Sequence, residues 1–187
     1  LTSRANLQVR GVRPESLDGL VADLVAAGLV PEAPDDEPRA DVVTTPGAGF
    51  VPDEGLDVRA LADDLRLALA AGRLDRPLHP KAGVVLDGGG TIGTRGLPAD
   101  VALGAARRPN GELAYEVALG AALDEAPMAD GGSLVPVVTP GCAVDLVVAV
   151  LSLAASPPPG APSPGPDPVR VRELVAARGA HGVLSAA

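Results

Sequence analysis

The sequence is almost empty of aromatic side chains: 187 residues hold one Phe, one Tyr and no Trp. Single-stranded nucleic acid is held by stacking bases on aromatic platforms, and Phe50 and Tyr115, far apart in the chain, build none. Cations are also scarce, 15 Lys and Arg against 24 Asp and Glu, for a net charge of −9. That sign repels a phosphate backbone, so no nucleic-acid partner is expected, and the acidity itself serves solubility. Cysteine is nearly absent too. Cys142 stands alone, which excludes an internal disulfide and any cysteine-ligated zinc or iron–sulfur site built by this chain by itself. The two histidines, His79 and His181, have no ligand spacing around them, so no metal site is expected. Long apolar runs are missing as well. The longest, residues 143–155, is too short to span a bilayer and contains Asp145. No basic-then-apolar leader opens the chain. These absences lead to the expectation of a cytoplasmic protein with no membrane partner.

What is present is an aliphatic core. Hydrophobic residues make up 47% of the chain, enough to bury one domain or two small ones built on Leu, Val and Ala. Residues 7–12 alternate apolar and polar, which predicts a half-buried strand. Pro14 ends it. Ser16 is placed to cap a helix whose stripe is Leu17, Leu20, Val21, Leu24 and Val25, closed by Gly28. Residues 31–39 form an acidic, Pro-rich loop, and 41–45 a short strand. Asp57 caps a second helix with Val58, Leu61, Leu65 and Leu69 on its buried stripe and Gly72 at its end. Strands follow at 83–86 and 100–103, and 113–119 returns after the turn Pro109-Asn110-Gly111 as a hairpin partner. A third helix covers 143–155. Residues 156–168 are a Pro-rich linker, and Asp167-Pro168 reads as cap and first residue of a last helix through Arg178. The order predicts an α+β protein with mixed or antiparallel sheets and packed helices.

Among residues able to carry chemistry, the first stretch stands out. Arg4, Arg10 and Arg13 cluster in an otherwise acidic chain. On a strand, Arg4, Asn6, Gln8 and Arg10 would project from one face and offer guanidinium and amide donors to a ligand rich in carboxylates; the competing reading is a solvated strand face. Gly88-Gly89-Gly90-Thr91-Ile92-Gly93 fits the spacing G-x-G-x-x-G. A dinucleotide site needs a helix to begin there, and Thr94-Arg95-Gly96-Leu97-Pro98 does not begin one, so a flexible hairpin loop is expected. The acidic clusters at 35–37, 63–64 and 124–125 read as solvated surface. Cys142 near a helix start has no histidine beside it in sequence to serve as a base.

The segment Leu1 to Gly11 resembles the T-x-R-x-x-x-Q-x-(H/R)-G signature of the sulfite/nitrite reductase family, in the form carried by its precorrin-3B synthase branch. Three later stretches fall in that family's order: Asp41 to Gly49, the helix start Asp57 to Leu61, and Leu78 to Asp87 with Lys81 at the matching lysine. Residues 169–184 resemble the opening of the family's second half. The resemblance implies a remnant of a ferredoxin-like half-domain at 1–38, a sulfite-reductase-like α+β domain at 39–155, the linker at 156–168 and the start of a second ferredoxin-like half-domain at 169–187. It implies that Thr2, Arg4, Gln8, Arg10 and Lys81 contact a tetrapyrrole. It also implies a 4Fe-4S cluster with siroheme or a related tetrapyrrole as cofactors, and oxidation of a tetrapyrrole in cobalamin synthesis as the activity.

The chain departs from the pattern in ways that matter. Ala40 stands where the family has an arginine, with Arg39 one place early, and a one-residue slip on a strand reverses the facing side. Ala82 replaces an aromatic residue. Gly83 replaces the second lysine of the reductases, which favours the precorrin-3B synthase branch. The four cluster cysteines are missing. The expectation is therefore a fragment or degenerate relative, inactive alone, with its iron–sulfur ligands supplied by a missing C-terminal half or a partner chain. The alternative is a non-catalytic tetrapyrrole-binding or subunit-interaction module, or a piece of a sulfite/nitrite reductase. Continuation of the reading frame into four cysteines would separate an enzyme from a binding module.

Overall fold

The computed structural model describes residues 7–70, 74–125, 137–156 and 167–187. Among these, five strands form one sheet in the order β1 (Asp41–Thr44), β2 (Gly83–Asp87), β3 (Val101–Arg107), β4 (Leu113–Leu119) and β5 (Val137–Val138). β1, β2 and β3 run parallel, and β4 and β5 are antiparallel to their neighbours. With helices α1 (Pro14–Ala26), α2 (Arg59–Ala68), α3 (Ala143–Ala155) and α4 (Val171–Leu184), the protein is α+β with a mixed sheet.

Alternation along the strands divides the sheet into two faces. Val84, Leu86, Val101, Leu103 and Val117 point to one side and are buried. There they meet Leu61 and Leu65 of α2 and Val147, Val150 and Leu151 of α3 in a single aliphatic core, with Tyr115 as its only aromatic member. Val171 and Val183 bring α4 into the same core. The opposite face carries smaller side chains. Val43, Val85, Ala102 and Ala118 lie in one row across four strands and form a second, thinner cluster with Ala99 and Leu123.

The second and third helices lie where the periodicity predicts. The Asp57 carboxylate accepts the Arg59 amide at 3.0 Å at the start of α2, and Val58, Leu61, Leu65 and Leu69 are all buried. The β3–β4 hairpin turns through Gly111, whose φ of 85° suits glycine. Gly72 and residues 157–166 of the Pro-rich linker lie outside the described residues.

Four expectations are corrected. Residues 7–12 form no strand; they are exposed and pair with no strand among the described residues. Helix α1 forms, but it starts at Pro14 without a side-chain cap and buries none of its residues; Leu17 and Val21 stay about half exposed. Residues 88–100 are not a hairpin, because β2 and β3 are parallel and the segment must cross back to the start of the next strand. Asp87, fully buried, holds that crossover by accepting the Gly89 amide at 2.9 Å and the amide and hydroxyl of Thr94. Finally, α4 begins at Val171 rather than at Pro168, because its first amide is capped by a distant carboxylate, Asp100.

Candidate functional site

The thin face of the sheet holds a cavity of about 640 Å³ near the starts of the parallel strands, within the ~300–1,000 Å³ typical of small-molecule sites. Its floor is small and apolar, with Val43, Val85 and Gly83 from the sheet. Pro98 and Ala99, at the end of the crossover, form one wall. Lys81, Arg170 and Arg172 also line it, with Asp41 and Asp100. Lys81 is the only lysine in the chain.

These side chains are positioned from different elements by one carboxylate. Asp100, just before β3, is 2% exposed. It accepts the Gly83 amide at the start of β2 at 3.0 Å and the Val171 amide at the start of α4 at 2.9 Å. Arg170 Nε reaches both of its oxygens, at 2.9 and 3.0 Å. A buried carboxylate is tolerated only when it is paired and hydrogen-bonded, and Asp100 has both. The approach of α4 needs glycine at 120. That residue has φ 68°, and a Cβ there would lie 2.5 Å from the Arg172 Cα. Lys81 is placed by the turn before β2, where its amide donates to His79 Nδ1 at 3.0 Å and the Ala82 amide to the His79 carbonyl at 2.7 Å.

The cations of the cavity differ in what they are free to do. Arg170 is committed to Asp100. Lys81 and Arg172 are exposed and have no ion-pair partner among the described residues. Two guanidinium groups elsewhere are engaged. Arg59 pairs with Asp57 at 2.7 Å and holds that carboxyl at about 2, chiefly through its side-chain hydrogen bonds. It also lies 5.7 Å from the Phe50 ring centroid. Arg95 pairs with Glu116 and Asp124. A second cleft, of about 850 Å³, runs between residues 28–38 and the outer edge of β1. Asp36, Glu37 and Asp41 line it, and its Arg66 is occupied by Asp63 and the Val42 carbonyl, so it offers little to an anion.

The residues expected to contact a tetrapyrrole are not all assembled here. Thr2 and Arg4 lie outside the described residues. Gln8 and Arg10 are exposed, and both Arg10 Nε and Nη2 donate to Gln8 Oε1, at 3.1 and 2.9 Å; neither lines the cavity around Lys81. Lys81 does, and it is joined by Arg170 and Arg172, which the sequence reading passed over. Their alternation in Val169-Arg170-Val171-Arg172 was the available signal. Nothing local marks Asp100, whose partners lie 17 and 70 residues away.

The donor set bears on the implied cofactors in two ways. An apolar floor rimmed by cations fits the body and carboxylates of a tetrapyrrole. An iron–sulfur cluster does not fit: Cys142 is a single, exposed thiol, and no three His, Cys, Asp or Glu side chains among the described residues gather to hold a metal. No helix of the described residues is long and apolar enough to cross a membrane.

Comparison with known proteins agrees with one part of this picture. No protein-family model matches the chain. The chain is 35% identical over 126 residues to a protein from Sinorhizobium sp named precorrin-3B synthase. The alignment takes in 64% of this chain and 25% of that relative, so the chain spans about a quarter of the relative's length.

Proposed function

We propose that this chain is a tetrapyrrole-binding part of an oxidoreductase resembling precorrin-3B synthase, acting in cobalamin synthesis in the cytoplasm. The observation that carries this reading is the cavity on the thin face of the sheet, where Lys81, Arg170 and Arg172 rim a floor of small apolar side chains. A flat apolar ring system lies on such a floor, and its carboxylates meet cations at the rim. The similarity to the Sinorhizobium protein supports the substrate class. The redox chemistry would come from an iron centre. Four thiolate ligands for a cluster exceed this chain's one cysteine, so in this reading they come from outside these 187 residues. Within them, Lys81 and Arg172 hold carboxylates, Arg170 and Asp100 fix the frame, and the wall at Pro98 and Ala99 excludes water from one side. Thr2, Arg4, Gln8 and Arg10 belong to the same reading as a further carboxylate-binding segment.

The test is a siroheme titration of the purified chain, followed by absorbance, beside Lys81→Ala and the double variant Arg4→Ala/Arg10→Ala. Saturable binding weakened by either variant supports the reading and shows which group of donors carries it. Absence of binding, or binding indifferent to both variants, overturns it.

A further inference from the structure

We propose that Lys81 and Arg172 form a two-point clamp for two carboxylates of one ligand, with Asp100 as the positioning residue that sets their separation. The inference rests on the tetrapyrrole reading and deepens it by naming which cations select the substrate.

The argument begins with the charges in the cavity. Lys81 and Arg172 line one cavity and have no ion-pair partner among the described residues, and like charges that share a site favour a bound anion. Of the two carboxylates in the cavity lining, Asp100 is engaged with Arg170, and Asp41 is not without a partner. Arg170 carries less of the open charge, since Asp100 pairs with its Nε and neutralises it. The N-terminus of α4, an ordinary anion site, is already answered by the same carboxylate. The open positive charge is thus confined to Lys81 and Arg172.

The backbone segments that carry them are tied together. Asp100 binds the Gly83 amide, two residues past Lys81, and the Val171 amide, one residue before Arg172. A single buried side chain thereby ties both clamp-bearing segments together. Gly120 holds the Arg172 backbone from the other side, where any side chain would collide with it. With the backbone fixed in this way, binding has only the two side chains left to order. It favours ligands bearing several carboxylates over those bearing one or none.

Because Lys81 is the sole lysine, reductive methylation with isotopically labelled formaldehyde places a single side-chain NMR reporter in the cavity, distinct from the methylated terminal amine. The folded chain is titrated with uroporphyrin, which has eight carboxylates, and with its octamethyl ester, which has none. Affinity is measured in parallel on the unmodified chain, on Arg172→Gln and on Arg172→Lys. The expected result is a shift of the Lys81 resonance with uroporphyrin and not with the ester, and a loss of affinity of about ten-fold or more in Arg172→Gln, largely restored in Arg172→Lys. If uroporphyrin shifts the Lys81 resonance but Arg172→Gln binds as tightly as the parent, the clamp is wrong and the tetrapyrrole reading survives. If uroporphyrin binds but leaves the Lys81 resonance untouched, the clamp is wrong; if uroporphyrin does not bind at all, both fail. Circular dichroism of the exposed-site variants confirms that any loss is not unfolding.

Discussion

Arg170 and Asp100, seventy residues apart in the chain, meet at 2.9 Å in a pair where the carboxylate is buried and the guanidinium nearly so. Removing one partner of a buried pair leaves the other uncompensated. Asp100→Ala would also strip the acceptor from two backbone amides. The expected loss of stability is about 3–5 kcal/mol, read as a lower urea midpoint, with Asp100→Asn falling between the two because it keeps an acceptor oxygen.

Two glycines with positive φ separate conformational cost from collision. Gly111 has open space around its Cα, whereas a methyl at Gly120 would strike Arg172. Gly111→Ala is expected to cost about 1–2 kcal/mol, the price of a left-handed backbone. Gly120→Ala is expected to cost more, and to weaken uroporphyrin binding as well, since it displaces Arg172. Equal midpoints for the two variants in denaturant unfolding would contradict the close packing of α4 against β4.

Helices α1 and α2 look alike in sequence but should respond differently to truncation. Leu65 is fully buried in the core, so Leu65→Ala should cost about 2–5 kcal/mol. Leu17 is half exposed on a helix that buries nothing, so Leu17→Ala should stay within about 0.5 kcal/mol. Thermal or chemical unfolding of the two variants side by side checks the contrast.

Tyr115 is the only tyrosine in a chain without tryptophan, so its ionisation is read directly from near-ultraviolet absorbance. Burial raises its phenol above the ordinary value of about 10, and the carboxylates of Asp57 and Glu54 push the same way. The unfolded chain therefore gives up this proton first. The contribution of Tyr115 to stability is intact below about 10 and is lost as the pH climbs through the folded value. A titration in buffer should lie above one in denaturant, and coincident curves would place the ring in water.

The elements legible in the sequence are those whose partners are local or whose faces are fully buried. Leu61 and Leu65 fell into the core because a 3.6-residue stripe needs only one surface to cover it, and Asn110-Gly111 turned the hairpin because the turn chemistry is self-contained. The alternation at Leu7 to Val12 predicts a strand, but a strand exists only where an edge pairs with it, and no described strand does. The start of α4 was misplaced because its cap is Asp100, remote in sequence, rather than Asp167. The site was legible only at Lys81. Arg170 and Arg172 enter the cavity through the path of α4 across Gly120, which periodicity does not encode.

The change of strand direction at β3 has a consequence for how the chain reaches this structure. On one side, β3 and β4 are joined by the short turn through Gly111 and pair along their whole length. Such hairpins close within microseconds. On the other side, β1 joins β2 only after the chain from Thr44 to Gly83 has been laid down through α2, and long closures are paid for before their contacts form. The antiparallel half is thus the natural nucleus and the parallel half the late arrival. Since Lys81 leads into β2 and α4 docks beside Gly120, the cavity is expected to be completed after the β3–β4 hairpin. Pulse-labelled amide exchange during refolding should protect the β3–β4 ladder before the Gly83 and Val171 amides that Asp100 accepts.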